Sequence, residues 1–159
     1  MTQELKPGDP APEIELTTPD GGRLTLAQLR GAPLVLYFYP KDDTSGCTRE
    51  AQDFSARKAA FDMAGVGLLG VSRDTPDTHA KFAAKHQLTV PLASDEAGAA
   101  CEAFGVWVQK SLYGKTYMGI ERATFLIDGE GRIAQIWRKV KVPGHAEAVL
   151  KAAEALARG

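Results

Sequence analysis

Pro33-Leu34-Val35-Leu36-Tyr37-Phe38-Tyr39 runs straight into Pro40-Lys41-Asp42-Asp43-Thr44-Ser45-Gly46-Cys47, and then into the helix-forming stretch Thr48-Arg49-Glu50-Ala51-Gln52. The first segment is continuously apolar and rich in β-formers, as a central strand covered on both faces requires. The second is a short polar loop punctuated by Pro40 and Gly46. Strand, tight loop and helix together put Cys47 at the first turn of a helix. Unpaired backbone N–H groups and the positive end of the helix dipole favour a thiolate there. A free cysteine has a pKa of about 8.5, which a helix N-terminus can lower by one to several units. One reactive thiol is the chemistry this stretch announces.

Outward from this unit, strands and helices alternate. Toward the N-terminus, Gly8-Asp9-Pro10-Ala11-Pro12 is a stiff lead-in. Ile14 and Leu16 alternate with Glu13 and Glu15, and Pro19-Asp20-Gly21-Gly22 separates them from Arg23-Leu24-Thr25-Leu26, which predicts an N-terminal β-hairpin. Downstream, the helix after Cys47 carries Ala51, Phe54 and Phe61 on one side. Val66–Ser72 reads as a second buried strand. Thr75 before Pro76, with Asp77 in the first turn, predicts a helix start, and His79, Phe82, Ala83 and His86 share one face of that helix. A short helix is expected from about Ala97 to Phe104. Thr124–Ile127 and Ile133–Trp137 flank Asp128-Gly129-Glu130-Gly131 as a hairpin, and a helix from about His145 to Arg158 closes the chain with an apolar stripe. A βαβ unit followed by ββα predicts a mixed central sheet flanked by helices on both faces. That is an α/β, thioredoxin-like layout, expected as a single domain over residues 1–159.

Composition narrows the function classes. The chain has 159 residues, 44% hydrophobic and 25% charged, with 19 basic and 20 acidic side chains and a formal net charge of −1. Nothing in that balance suggests a nucleic acid or an anionic membrane as partner. No apolar run approaches the roughly 20 residues that cross a bilayer, and the polar opening from Met1 lacks the apolar stretch of a signal peptide. Two cysteines make no disulfide framework, so a reducing, cytoplasmic setting is expected.

A thiolate that attacks an O–O bond needs a stabilised charge, room for a small molecule and donors for its oxygens. Thr44 can place a hydroxyl beside Cys47, donating to one oxygen while accepting a bond itself. The N–H groups of Gly46 and Cys47 can donate, and Pro40 can shield the sulfur and fix the turn. Arg122, just before the Thr124–Ile127 strand, is positioned to supply a permanent cation. Pro40-x-x-x-Thr44-x-x-Cys47 resembles the peroxiredoxin active-site signature, nearest to the bacterioferritin comigratory protein or peroxiredoxin Q subfamily. Gly8-Asp9-x-Ala11-Pro12, Phe104-Gly105-Val106-Trp107 and Arg122-Ala123-Thr124-Phe125-Leu126-Ile127-Asp128 resemble further segments of that family, in order. The resemblance implies that Cys47 is the peroxidatic nucleophile, oxidised to a sulfenic acid. It implies that Thr44 and Arg122 orient hydrogen peroxide or an organic hydroperoxide, that Glu50 stands behind them and pairs with an arginine, and that no metal or other cofactor is needed. By analogy with such relatives a monomer is expected.

Two departures bear on mechanism. Ser45 stands where the subfamily commonly has proline, a swap that suits a helix N-terminus. Gln52 and Ala83 stand where relatives carry a second, resolving cysteine. The resemblance then implies a single-cysteine peroxidase reduced by an external thiol, whether thioredoxin, glutaredoxin or a low-molecular-weight thiol, through a mixed disulfide. Cys101, grouped with Ala97, Ala100 and Phe104, reads as a packing residue. The alternatives are a resolving role for Cys101 or a non-catalytic thiol sensor. A disulfide oxidoreductase would need Cys-x-x-Cys, and Glu50 occupies the second position. His79 and His86 read as a packing edge rather than metal ligands, and Asp42-Asp43 as a solvated loop cap. Gly65-x-Gly67-x-x-Gly70 leads into a strand, which rules out a dinucleotide fingerprint. Trp107 and Trp137 are expected in the core or at a pocket rim.

Overall fold

The computed structural model describes residues 4–159, so the first three residues of the polar opening segment lie outside the described residues. In chain order the elements are β1 (Glu15–Thr17), β2 (Arg23–Thr25), a 3-10 turn (Ala27–Leu29), β3 (Leu34–Phe38), α1 (Ser45–Ala56), α2 (Lys58–Met63), β4 (Gly67–Ser72), α3 (Pro76–His86), β5 (Leu92–Ser94), α4 (Ala99–Ala103), β6 (Trp107–Leu112), β7 (Lys115–Ile120), β8 (Ala123–Ile127), β9 (Ile133–Trp137) and α5 (His145–Arg158). Seven strands form one mixed sheet in the order β2-β1-β5-β4-β3-β8-β9, and β6 and β7 form a separate two-stranded ribbon. β3, β4 and β5 are parallel. β8 returns antiparallel on the other side of β3.

Alternation along β3 sorts its side chains to the two faces. Leu34, Leu36 and Phe38 join a core with Val71, Phe104, Phe125 and Cys101, beneath α4. Val35, Tyr37 and Tyr39 join the opposite core with Cys47, Phe54, Phe61, Phe82 and Val149, beneath α1, α2, α3 and α5. The thioredoxin-like α/β arrangement with helices on both faces is therefore present. All five β3 residues are buried, which is why the segment reads as uninterrupted apolar sequence rather than alternating.

The predicted elements recur with small shifts of boundary. Thr75 caps α3 as expected, its side chain accepting from the Thr78 N–H at 3.1 Å. Three features depart from the sequence reading. The helix carrying Cys47 begins at Ser45, with Thr44 as N-cap, and it breaks at Arg57 into α1 and α2. β5 and the β6–β7 ribbon were not foreseen. β5 has only three residues, and the ribbon is largely solvated on both faces, so neither leaves a readable hydrophobic period.

Candidate active site

The carboxyl ends of the parallel strands gather the chemistry. Phe38 pairs with Ala123 across β3 and β8, so Arg122 emerges opposite the start of the Pro40–Gly46 loop. The register explains how a residue 75 positions from Cys47 reaches it. Arg122 Nη2 donates to Cys47 Sγ at 3.4 Å, and Nη1 donates to Glu50 Oε1 at 2.6 Å. Glu50 lies one helical turn beyond Cys47 on α1, buried against the same cation. Gly46 makes the approach possible, since a Cβ there would lie 3.1 Å from Arg122 Nη2. The first α1 N–H groups, among them those of Gly46 and Cys47, precede the first helical bond, Thr48 N–H to the Thr44 carbonyl at 2.9 Å. Among the described residues they have no acceptor, and they face out of the helix end as donors.

Burial sets the charges. Cys47 is buried, 2% exposed. Burial pushes the Glu50 carboxyl up to about 7, with Arg122 partly offsetting that cost. Glu50 Oε2 and the Tyr37 hydroxyl are buried without hydrogen-bond partners among the described residues. The Arg122 guanidinium is held more firmly protonated by Glu50 and Cys47 despite its burial.

Thr44 sits at the N-cap, and its hydroxyl donates to the Lys41 carbonyl at 2.8 Å. With its hydrogen engaged there, the hydroxyl has its lone pairs left to accept. Pro40 is half-buried at the mouth of the loop. Cys101 is fully buried on the far face of the sheet. Burial and the neighbouring Asp95 carboxylate raise its pKa strongly, which keeps the thiol protonated.

The loop is anchored by groups that the sequence reading placed elsewhere. Asp42 is buried rather than solvated. Tyr39 Oη donates to Asp42 Oδ1 at 2.5 Å, and His79 Nδ1 lies 2.6 Å from Asp42 Oδ2. His79 Nε2 faces the Ala93 carbonyl at 3.0 Å and must therefore carry a hydrogen. The Asp42 N–H donates to Asp74 Oδ2 at 2.8 Å. Asp42, Asp74 and His79 lie close enough together to suggest a metal set, and each is already engaged, Asp42 by Tyr39 and His79 and Asp74 by Ser72 Oγ and the Asp42 N–H. Asp43, at φ 62°, is held in the left-handed region, where aspartate is tolerated better than most residues. It binds Lys85 Nζ at 2.7 Å and His86 Nε2 at 2.8 Å. His86 is thus a tether to the loop, not only a packing edge. Behind the site, His145 Nε2 lies 2.8 Å from Thr124 Oγ1, packed edge-on against Trp137 and Phe54. Burial, and secondarily Arg122, depress its pKa to about 4, so it is neutral near pH 7.

Comparison with known proteins agrees with this geometry. The AhpC/TSA family pattern matches residues 7–136. Peroxiredoxin Bcp of Xanthomonas campestris is 50% identical over 146 residues, spanning 92% of this chain and 91% of that one. A structure of the bacterioferritin comigratory protein from the same species, described for its alkyl peroxide reduction activity, superposes with a TM-score of 0.86 at 50% identity, covering 91% of this chain and 92% of that one. A PrxQ variant from Xylella fastidiosa gives a TM-score of 0.90 at 40% identity, covering 96% and 98%. The chain belongs to the AhpC/TSA family, is similar to its Bcp and peroxiredoxin Q members, and is a thiol-dependent peroxidase that takes a peroxide and a thiol reductant.

Proposed function

We propose that Cys47 is the nucleophile of this peroxidase and that residues 1–159 act as one domain, reducing hydrogen peroxide and small organic hydroperoxides. The observation that carries the assignment is the shared guanidinium: one nitrogen donates to Cys47 Sγ at 3.4 Å while the other is fixed by Glu50 at 2.6 Å. A cation held this way stabilises negative charge on sulfur and then on the departing oxygen. The Cys47 thiolate attacks the nearer peroxide oxygen. An S–O bond forms, the O–O bond breaks, and the leaving oxygen departs as water or an alcohol once protonated. Thr44 accepts from the peroxide O–H, and the free N–H groups of Gly46 and Cys47 donate to its oxygens. Pro40, half-buried at the mouth of the loop, and the 2% exposure of Cys47 keep the sulfur out of bulk solvent.

The proposal extends to resolution by an external thiol. Gln52 and Ala83 offer no second thiol, and Cys101 lies across the sheet in a separate core. A disulfide needs Cα atoms within about 7 Å, so pairing Cys47 with Cys101 would require the sheet or its helices to come apart. The reductant is then a small thiol or a thioredoxin- or glutaredoxin-like protein, acting in the cytoplasm. Anaerobic peroxide consumption with an added thiol tests this directly. Cys47→Ser is expected to abolish turnover and Cys101→Ser to retain it; the reverse pattern would overturn the assignment.

A further inference from the structure

One side of the active-site loop is locked and the other is open. On the α3 side, Asp42 and Asp43 bind His79, Lys85 and His86. On the opposite side, a groove of about 490 Å³ begins at Pro40 and Lys41 and runs to the β6–β7 ribbon. Its walls carry the cations Lys41, Arg73 and Lys110, against the single carboxylate of Glu96. Arg73 is pre-set: it donates twice to the Glu96 carbonyl, at 3.2 and 3.0 Å, and lies 4.5 Å over the Trp107 ring. Neither Lys41 nor Lys110 has an ion-pair partner among the described residues. Lys110 is near enough to the active site to be influenced by it: burial and Arg122 lower its pKa, and Cys47 opposes them. Tyr117 and Met118, about half exposed, give the same groove an apolar lip.

We infer that this groove seats a low-molecular-weight thiol bearing carboxylates, which reduces the Cys47 sulfenic acid. The inference rests on the single-cysteine reading above. The groove's size suits a ligand of tripeptide scale, and three cations around one carboxylate favour an anion. The step is balanced. The thiol sulfur attacks Cys47 Sγ, an S–S bond forms, the S–O bond breaks, and the hydroxyl leaves with the thiol proton as water. A second molecule of thiol then attacks the mixed disulfide, releasing the oxidised thiol dimer and restoring Cys47.

The test oxidises the full chain with one equivalent of hydrogen peroxide. Decay of the sulfenic acid is then followed with glutathione and, separately, with glutathione diethyl ester, whose carboxylates are capped. The expected rate ratio favours glutathione by about tenfold at low salt and shrinks toward one as salt rises. In Lys41→Gln/Lys110→Gln the ratio should fall below about threefold. Because each ratio is internal to one protein, a general loss of reactivity in the variant does not imitate this result. A ratio near one in the unaltered chain, or one untouched by the double substitution, overturns the groove assignment. If both thiols form the mixed disulfide at equal rates, only the groove falls. An internal Cys47–Cys101 disulfide instead would remove the single-cysteine reading and the groove together. Reduction by a protein dithiol such as thioredoxin, with both small thiols inert, would also overturn the inference.

Discussion

Arg122→Ala removes the guanidinium that joins Cys47 to Glu50, and its effect on the peroxide step can be worked from two distances. A full charge pair at the 3.4 Å separation of Nη2 and Sγ interacts by ~5 kcal/mol at an effective dielectric of 20. That cation is shared with Glu50 through Nη1 at 2.6 Å, and a hydrogen bond to a charged group is worth about 1.5–3 kcal/mol net. A loss of about 2–3 kcal/mol corresponds to a peroxide rate lowered ~30- to 150-fold. The substitution also leaves Glu50, 1% exposed, without its counter-charge, which costs stability. Arg122→Ala/Glu50→Gln controls for this, since it removes the uncompensated carboxylate while still lacking the cation. The assay is stopped-flow reaction of the reduced protein with hydrogen peroxide, with thermal unfolding run on each variant. Folded variants that react within about threefold of the unaltered chain would refute the role given to Arg122, because the electrostatic gain above would be missing.

Gly46→Ala should slow the same step by about tenfold or more while leaving the fold intact, because its Cβ would stand 3.1 Å from Arg122 Nη2 and a small misplacement at a reacting centre is costly; the stopped-flow rate checks this. Glu50 binds its proton more tightly in the folded chain, from a usual 4.5 up to about 7, so its burial costs stability as pH rises through that window. Urea unfolding should therefore show Glu50→Gln gaining on the unaltered chain between pH 4.5 and 7, by no more than about 1.4 kcal/mol per pH unit, and levelling above. His145 has the opposite sign: depressed from 6.5 to about 4, it contributes stability that is lost as pH falls across that range, and His145→Asn should flatten that slope. Cys101→Ser should change peroxidase turnover by less than about twofold, since it packs across the sheet from Cys47 and distant sites act independently. Steady-state peroxide consumption measures it.

Much of this architecture is legible in the chain because burial there leaves a pattern. β3 is covered on both faces and reads as unbroken apolar sequence. α5, from His145 to Arg158, reads from its stripe and was expected with those same limits. The position of Arg122 follows from the family resemblance together with a strand expected to return beside β3. What stayed hidden depends on partners far along the chain. Asp42 looks like a solvated loop acid until His79 and Asp74, 37 and 32 residues away, close around it. The orientation of the Thr44 hydroxyl depends on the Lys41 carbonyl, which no side-chain pattern encodes. The β6–β7 ribbon, with its cations and exposed aromatics, has no buried face to announce it.

The most direct measurement is intact and peptide mass spectrometry of the full chain after one equivalent of hydrogen peroxide, with no thiol present. One added oxygen on Cys47, trapped by a sulfenic-acid reagent, with Cys101 still a free thiol, is the predicted result. An unmodified Cys47, or oxygen carried on Cys101 instead, would contradict the assignment of the nucleophile.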